Sequence, residues 1–314
     1  MPRTTWRVPF STLPAFCIVV ILFMSMLRRQ RTILEILRKA NGRLSATQLQ
    51  KFIFLLREET FLGKDVAFYD FLPYRFGAYS FSAQREIEAL TTYGYIESID
   101  STVGVTSLGR TEAGHADSDT SRAVLAILSK YEKLPLKTLL KDVYDRYPWY
   151  ASKSELKDLV PIRESKPKTA PTAIYTIGYE ETSIDGFLNQ LLLSGIRRII
   201  DIRANPVSRK YGFARSSLSA LAGKLGLGYC HFPELGISSA KRREAHTPTE
   251  FRELFGYYER QTLPAKADAV ASVAEILKSA PSVLVCMEKE AVDCHRSRLA
   301  RRIASATDLN IVHL

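Results

Sequence analysis

The chain has 314 residues, 46% of them hydrophobic and 25% charged, a composition that excludes collagen-like, low-complexity and intrinsically disordered classes. That length is well beyond a common single-domain size, so two domains with separate cores are expected. A formal charge of +11 favours anionic partners, a phosphate-bearing small molecule or nucleic acid. Four cysteines, Cys17, Cys230, Cys286 and Cys294, with no Cys-x-x-Cys pair, exclude a disulfide scaffold and fit reduced thiols in the cytoplasm.

Residues 8–27, VPFSTLPAFCIVVILFMSML, carry no charge and are flanked by Arg3, Arg7, Arg28 and Arg29. They have the length of a membrane helix. Pro9 and Pro14 interrupt the first half, and Met24 and Met26 stand just before the next amphipathic helix. Two readings stay open for residues 1–27: an extension upstream of the natural start, or an anchor that would bring the chain to a membrane.

From Leu27 the pattern turns helical, with Ile33, Leu34, Ile36 and Leu37 spaced for one face and Asn41-Gly42 as a stop. Ser45 caps a second helix whose stripe is Leu49, Phe52, Ile53 and Leu56. After the segment Phe71 to Phe81, a third helix carries Ile87 and Leu90 and ends at Gly94. YIESIDSTVGVTSLGRTEAG then reads as two β-branched strands around a polar turn, followed by a helix start. Helix, helix, helix, hairpin is the winged-helix order, and it predicts a mainly helical winged-helix-like module over residues 28–115. KFIFLL and YRFGAYSF resemble the Panacea domain of promiscuous antitoxins.

A winged helix that reads DNA needs cations on its third helix and wing. Here Gln84 and Arg85 stand beside Glu86 and Glu88, and the hairpin offers Glu97 and Asp100. A protein partner for this module is therefore at least as well supported as DNA. Residues 116–154 read as a helical connector, and residues 155–172, with prolines and lysines but little apolar content, as a linker.

Over residues 173–314 strands and helices alternate: AIYTIGYE, RRIIDIRA, GYCHFP, SVLVCMEKE and NIVHL as strands, with helical stretches between them. That alternation predicts an α/β domain with a mostly parallel sheet flanked by helices. Ligands of such sheets sit outside the carboxyl ends of the strands. The residues placed there are Gly178 and Tyr179 after the first strand, then Asp201, Arg203, Pro206, Ser208 and Arg209 after the second. The third delivers His231 and Glu234, the fourth Cys286 and Glu288, and the last helix opens with Cys294, His295 and Arg296. A helix N-terminus presents free N–H groups and partial positive charge, so this Cys-His-Arg placement suits an anion and favours a thiolate. Plainer readings stand beside it: Asp293 as a helix cap, Cys286 as a small core residue, and Arg298, Arg301 and Arg302 as a solvated face.

TIGYE, DIRANPVSR, HFPELG and CMEKEAVDCHRSRLA, followed by a VHL strand, are similar in content and order to the YeaO-like family catalogued as domain of unknown function 488. The resemblance implies a fold and a site but no settled activity. Many relatives have His where this chain has Tyr179, which removes a group titrating near neutral pH.

These residues predict an enzyme directed at a nucleotide or nucleic acid, a hydrolase or a glycosidase-like protein. Arg203, Arg209 and Arg296 would hold phosphate, Glu234 and Glu288 would supply acid–base chemistry, and Cys286 or Cys294, with His295 beside them, a nucleophile. No Cys-x5-Arg phosphatase loop is present. The alternative is a ligand-sensing regulator or toxin–antitoxin-type adaptor with the same pocket and no catalytic pair. No cofactor is named by the sequence. No metal-ligand spacing is visible either, because His231, His295 and the cysteines lie on different predicted elements.

Overall fold

The computed structural model describes residues 26–160 and 169–314. The apolar stretch read as an extension or anchor lies almost wholly outside the described residues, as does the middle of the expected linker. Among the described residues no helix is long and apolar enough to cross a membrane.

The N-terminal module opens with α1 (Arg28–Lys39), β1 (Leu44–Ser45) and α2 (Ala46–Glu59). Ser45 caps α2 by accepting from the Gln48 amide, while the Gln48 side chain returns to the Ser45 amide, a reciprocal capping box. The Phe71–Phe81 segment, left without an element by its sequence pattern, forms a hairpin of β2 (Leu72–Tyr74) and β3 (Gly77–Tyr79). Next come α3 (Phe81–Thr92), β4 (Ile96–Ile99), β5 (Thr102–Val105) and α4 (Ser107–Ala113). Strands β1, β5 and β4 form one antiparallel sheet. Asp100 and Ser101 take positive φ in the tight β4–β5 turn. The three helices and the hairpin appear in the expected order, with β1 and the β2–β3 hairpin added.

Three further helices, α5 (Ser118–Tyr131), α6 (Leu136–Arg146) and α7 (Pro148–Ala151), close over this core. The start of the expected linker also packs on it, through Leu156, Leu159 and Val160. Three apolar side chains in six residues were enough to hold that segment down.

The C-terminal domain is built on five parallel strands, β6 (Ile174–Gly178), β7 (Arg198–Asp201), β8 (Gly228–His231), β9 (Ser282–Cys286) and β10 (Ile311–His313). Their spatial order is β10-β6-β9-β7-β8. Side chains alternate between faces: Val283 and Val285 of β9 join the core under α8 (Ile184–Leu193) and α9 (Arg215–Lys224). Leu284 joins the opposite core, shared with α11 (Pro248–Tyr257), α12 (Ala267–Ser279) and α13 (His295–Ala304); the short α10 (Ser239–Glu244) precedes α11. The same alternation turns Cys286 toward the face that α13 covers.

The two parts share a seam. Leu72 and Phe81 of the module are buried in the core formed by α8, α9 and β6. Asp185 of α8, fully buried, accepts from the Phe81 amide at 2.6 Å, the Ser82 amide at 3.0 Å and the Ser80 hydroxyl at 3.2 Å. It thereby satisfies amides at the start of α3 that would otherwise lack partners.

Candidate functional site

Strand β9 is the middle of the sheet, and its C-terminal end brings four donors together. Cys286 closes the strand, Glu288 follows in the loop, and Cys294 and His295 begin α13. One donor atom from each lies within 4.8 Å of the others. The thiols of Cys286 and Cys294 both donate to Glu288 Oε2 at 2.9 Å. His295 Nδ1 stands 3.6 Å from one sulfur and 3.8 Å from the other. A tetrahedral metal bound at about 2.0–2.3 Å sets neighbouring donors roughly 3.3–3.8 Å apart. The cluster is therefore close to a coordination shell, with the carboxylate drawn slightly inward.

The orientation of His295 suits a ligand. Its Nε2 faces the Ile202 carbonyl at 3.3 Å, and a carbonyl can only accept, so Nε2 carries the proton and the Nδ1 lone pair points at the sulfurs. Such a backbone partner on the distal nitrogen is the usual support of a metal-bound imidazole. Tyr258 packs edge-on against the ring, centroids 5.6 Å apart.

Cys286, Cys294 and His295 are each at most 1% exposed, whereas Glu288 reaches solvent beneath Arg242 of α10, which holds its Oε1. Burial would raise the Glu288 carboxyl, but Arg242 and the two thiols outweigh it and bring the pKa down to about 2. Burial, and next to it the adjoining Cys286, push the Cys294 thiol well up. A soft cation would reverse that preference by binding the thiolates. A shallow pocket of about 150 Å³ lies beside Tyr258, lined also by Ser238 and Lys241.

Two of the three arginines expected to hold phosphate, Arg296 and Arg203, are engaged in the framework. Arg296 is 2% exposed and donates to the carbonyls of Glu288 and Lys289, tying down the loop that carries the carboxylate. Arg203 is paired with fully buried Asp201 and also donates to the Tyr179 hydroxyl and the Phe213 carbonyl, at 2.9 and 2.8 Å. Tyr179 stacks on Phe213 with centroids 4.2 Å apart. Gly178 is required for closeness: a Cβ there would come within 1.7 Å of the Glu288 carbonyl oxygen.

Glu234 is exposed in the turn Pro233–Leu235 and stands outside the donor cluster, so the expected Glu234–Glu288 pair is not formed. His231 contacts the Arg203 carbonyl at 2.8 Å, Pro206 is buried, Ser208 caps the Lys210 amide at 3.1 Å, and Arg209 is exposed. The N-cap of α13 is Cys294, whose sulfur accepts from the Arg296 amide at 3.4 Å, rather than Asp293.

Sequence reasoning selected all four donors but as separate catalytic candidates, without a metal. Two partners went unnoticed: Arg242, hidden in the run Lys241-Arg242-Arg243, and the Ile202 carbonyl, which no side-chain pattern reveals. Residues 183–303 match the domain of unknown function DUF488. All four donors, Arg242 and the Asp201–Arg203 pair lie within the DUF488 match, while Gly178, Tyr179 and β10 lie outside it. No curated protein and no solved structure matches the chain.

Proposed function

We propose that the C-terminal domain is a metal-dependent hydrolase directed at a nucleotide or nucleic acid. The carrying observation is the convergence of two thiols, an imidazole and a carboxylate within 4.8 Å at the carboxyl end of the central strand. Two sulfurs, one nitrogen and one oxygen suit zinc or a similar borderline-soft divalent ion. Cys286, Cys294 and His295 form a buried tripod. Glu288, the member that reaches solvent, would be the donor that gives way to a substrate oxygen. Bound there, the metal would act as a Lewis acid on that oxygen. Released from the shell, Glu288 would serve as the general base. Arg242 on α10 sits against Glu288 and Lys241 lines the pocket beside Tyr258, positive charge in keeping with a phosphate-bearing substrate.

Elemental analysis of the purified protein tests the centre first. About one equivalent of zinc is expected, lost on Cys286→Ser or Cys294→Ser. A hydrolysis screen over nucleotides, nucleosides and short DNA and RNA follows, comparing metal-loaded with chelator-stripped protein. Glu288→Gln should lower turnover by roughly 10²-fold or more while retaining metal. Full metal with no turnover on any substrate would favour the adaptor reading. Protein that takes up no zinc, and whose two thiols close to a disulfide under mild oxidation, would replace the metal centre with a dithiol.

A further inference from the structure

A groove in the N-terminal module, away from the four donors of the C-terminal domain, holds a buried lysine. Lys51 of α2 is 1% exposed, and its ammonium donates to the Ala78 carbonyl of β3 at 2.6 Å. Among the described residues no carboxylate lies within 4.0 Å of it. Burial alone pulls its pKa down to about 7. A lysine held out of water without a counter-ion escapes the cost of a buried charge by giving up its proton, and a carboxylate arriving beside it would restore and stabilise the ammonium.

Lys51 also borders a groove of about 280 Å³ between α2 and the β2–β3 hairpin. Gln50 stands beside it, and Tyr74, Phe76 and Tyr79 make aromatic walls. Arg75, the other cation lining the groove, is already paired with Glu155. Among the described residues no acidic side chain lines it. The groove thus offers one amine without an acidic partner among aromatic surfaces, with room for a small body.

We propose that this groove binds a carboxylate carried on an apolar or aromatic body, with Lys51 as its counter-ion. The ammonium has N–H bonds left after serving Ala78, and an incoming carboxylate both accepts from them and neutralises the buried charge. The aromatic walls take the apolar body. A free organic acid and the C-terminal end of a peptide share this chemistry.

Calorimetric titration of the full-length protein distinguishes them. The probes are phenylacetate and phenylacetamide, and an acetylated tripeptide ending in phenylalanine with its C terminus either free or amidated. Each acid is expected to bind at least about tenfold more tightly than its amide. Tighter binding of the peptide acid than of phenylacetate supports the site with a chain end as its source, and the reverse order supports it with a free acid. Lys51→Met should abolish the acid preference and raise the melting temperature of the unliganded protein. Equal affinity for acid and amide, no binding of either acid at millimolar concentration, or an acid preference that survives in Lys51→Met would overturn the proposal. If Lys51→Met does not fold, the acid–amide comparison on the unaltered protein decides alone.

Discussion

Arg296 shows how a residue type can be right and its work different. Placed at a helix N-terminus beside a cysteine and a histidine, it has the appearance of an anion ligand. The fold instead buries it and spends two of its nitrogens on the Glu288 and Lys289 carbonyls, while Nε is buried with no partner among the described residues. Removing it strands two carbonyls that had charged donors. Arg296→Ala should therefore destabilise the protein by about 3 kcal/mol and loosen the loop that presents Glu288, read by urea unfolding together with zinc content. A variant of unchanged stability that had lost only affinity for phosphate would restore the anion role. The same logic covers Arg203, whose charge is consumed by Asp201.

At the scale of elements, the junction of α8 with the start of α3 depends on Asp185. Burial, the largest influence, raises its pKa from 3.8 to about 6, over the opposing hydrogen bonds from Ser82, Phe81 and Ser80. A carboxyl raised on folding binds its proton more tightly in the native state. Its contribution is thus complete below about pH 3.8 and is lost as pH rises through about 6, a change of about 3 kcal/mol. Asp185→Asn lacks that titration, so its stability relative to the unaltered protein should climb between about pH 4 and 7. Urea melts across that range check this, and parallel pH profiles for the two proteins would contradict it. Nothing in the sequence marks Asp185, because its role is set by a partner helix about a hundred residues away. The elements themselves were legible: Ser45 and the stripe Leu49, Phe52, Ile53 and Leu56 announced α2, and the runs RRIIDIRA and SVLVCMEKE announced strands of a mostly parallel sheet. The alternation that turns Cys286 toward α13 could be read locally. The strand order that makes β9 central and brings its end to Cys294 and His295 could not, and neither could the β2–β3 hairpin, whose strands are three residues each.

Across the whole molecule, two cores meet through a few large side chains. Leu72 and Phe81 leave the module to complete the other core, Trp149 Nε1 donates to Asn189 at 2.9 Å, and Arg85 lies over the Tyr211 ring at 4.5 Å. Surface shared this way couples the unfolding of the parts, so calorimetry should show one transition in which the calorimetric and van't Hoff enthalpies agree. Phe81→Ala removes a ring that is 5% exposed, costs about 3–5 kcal/mol and should split that transition, since the cluster built on α1, α2, α5 and α6 remains whole. In the split profile the two halves become distinguishable by chemistry. A zinc chelator should lower the transition of the α/β domain alone, because the four donors belong only to that part, and phenylacetate should raise the transition of the module alone through Lys51. Two transitions in the unaltered protein would mean that the seam contributes little, and a single one in Phe81→Ala would mean that the polar contacts around Asp185 suffice to hold it.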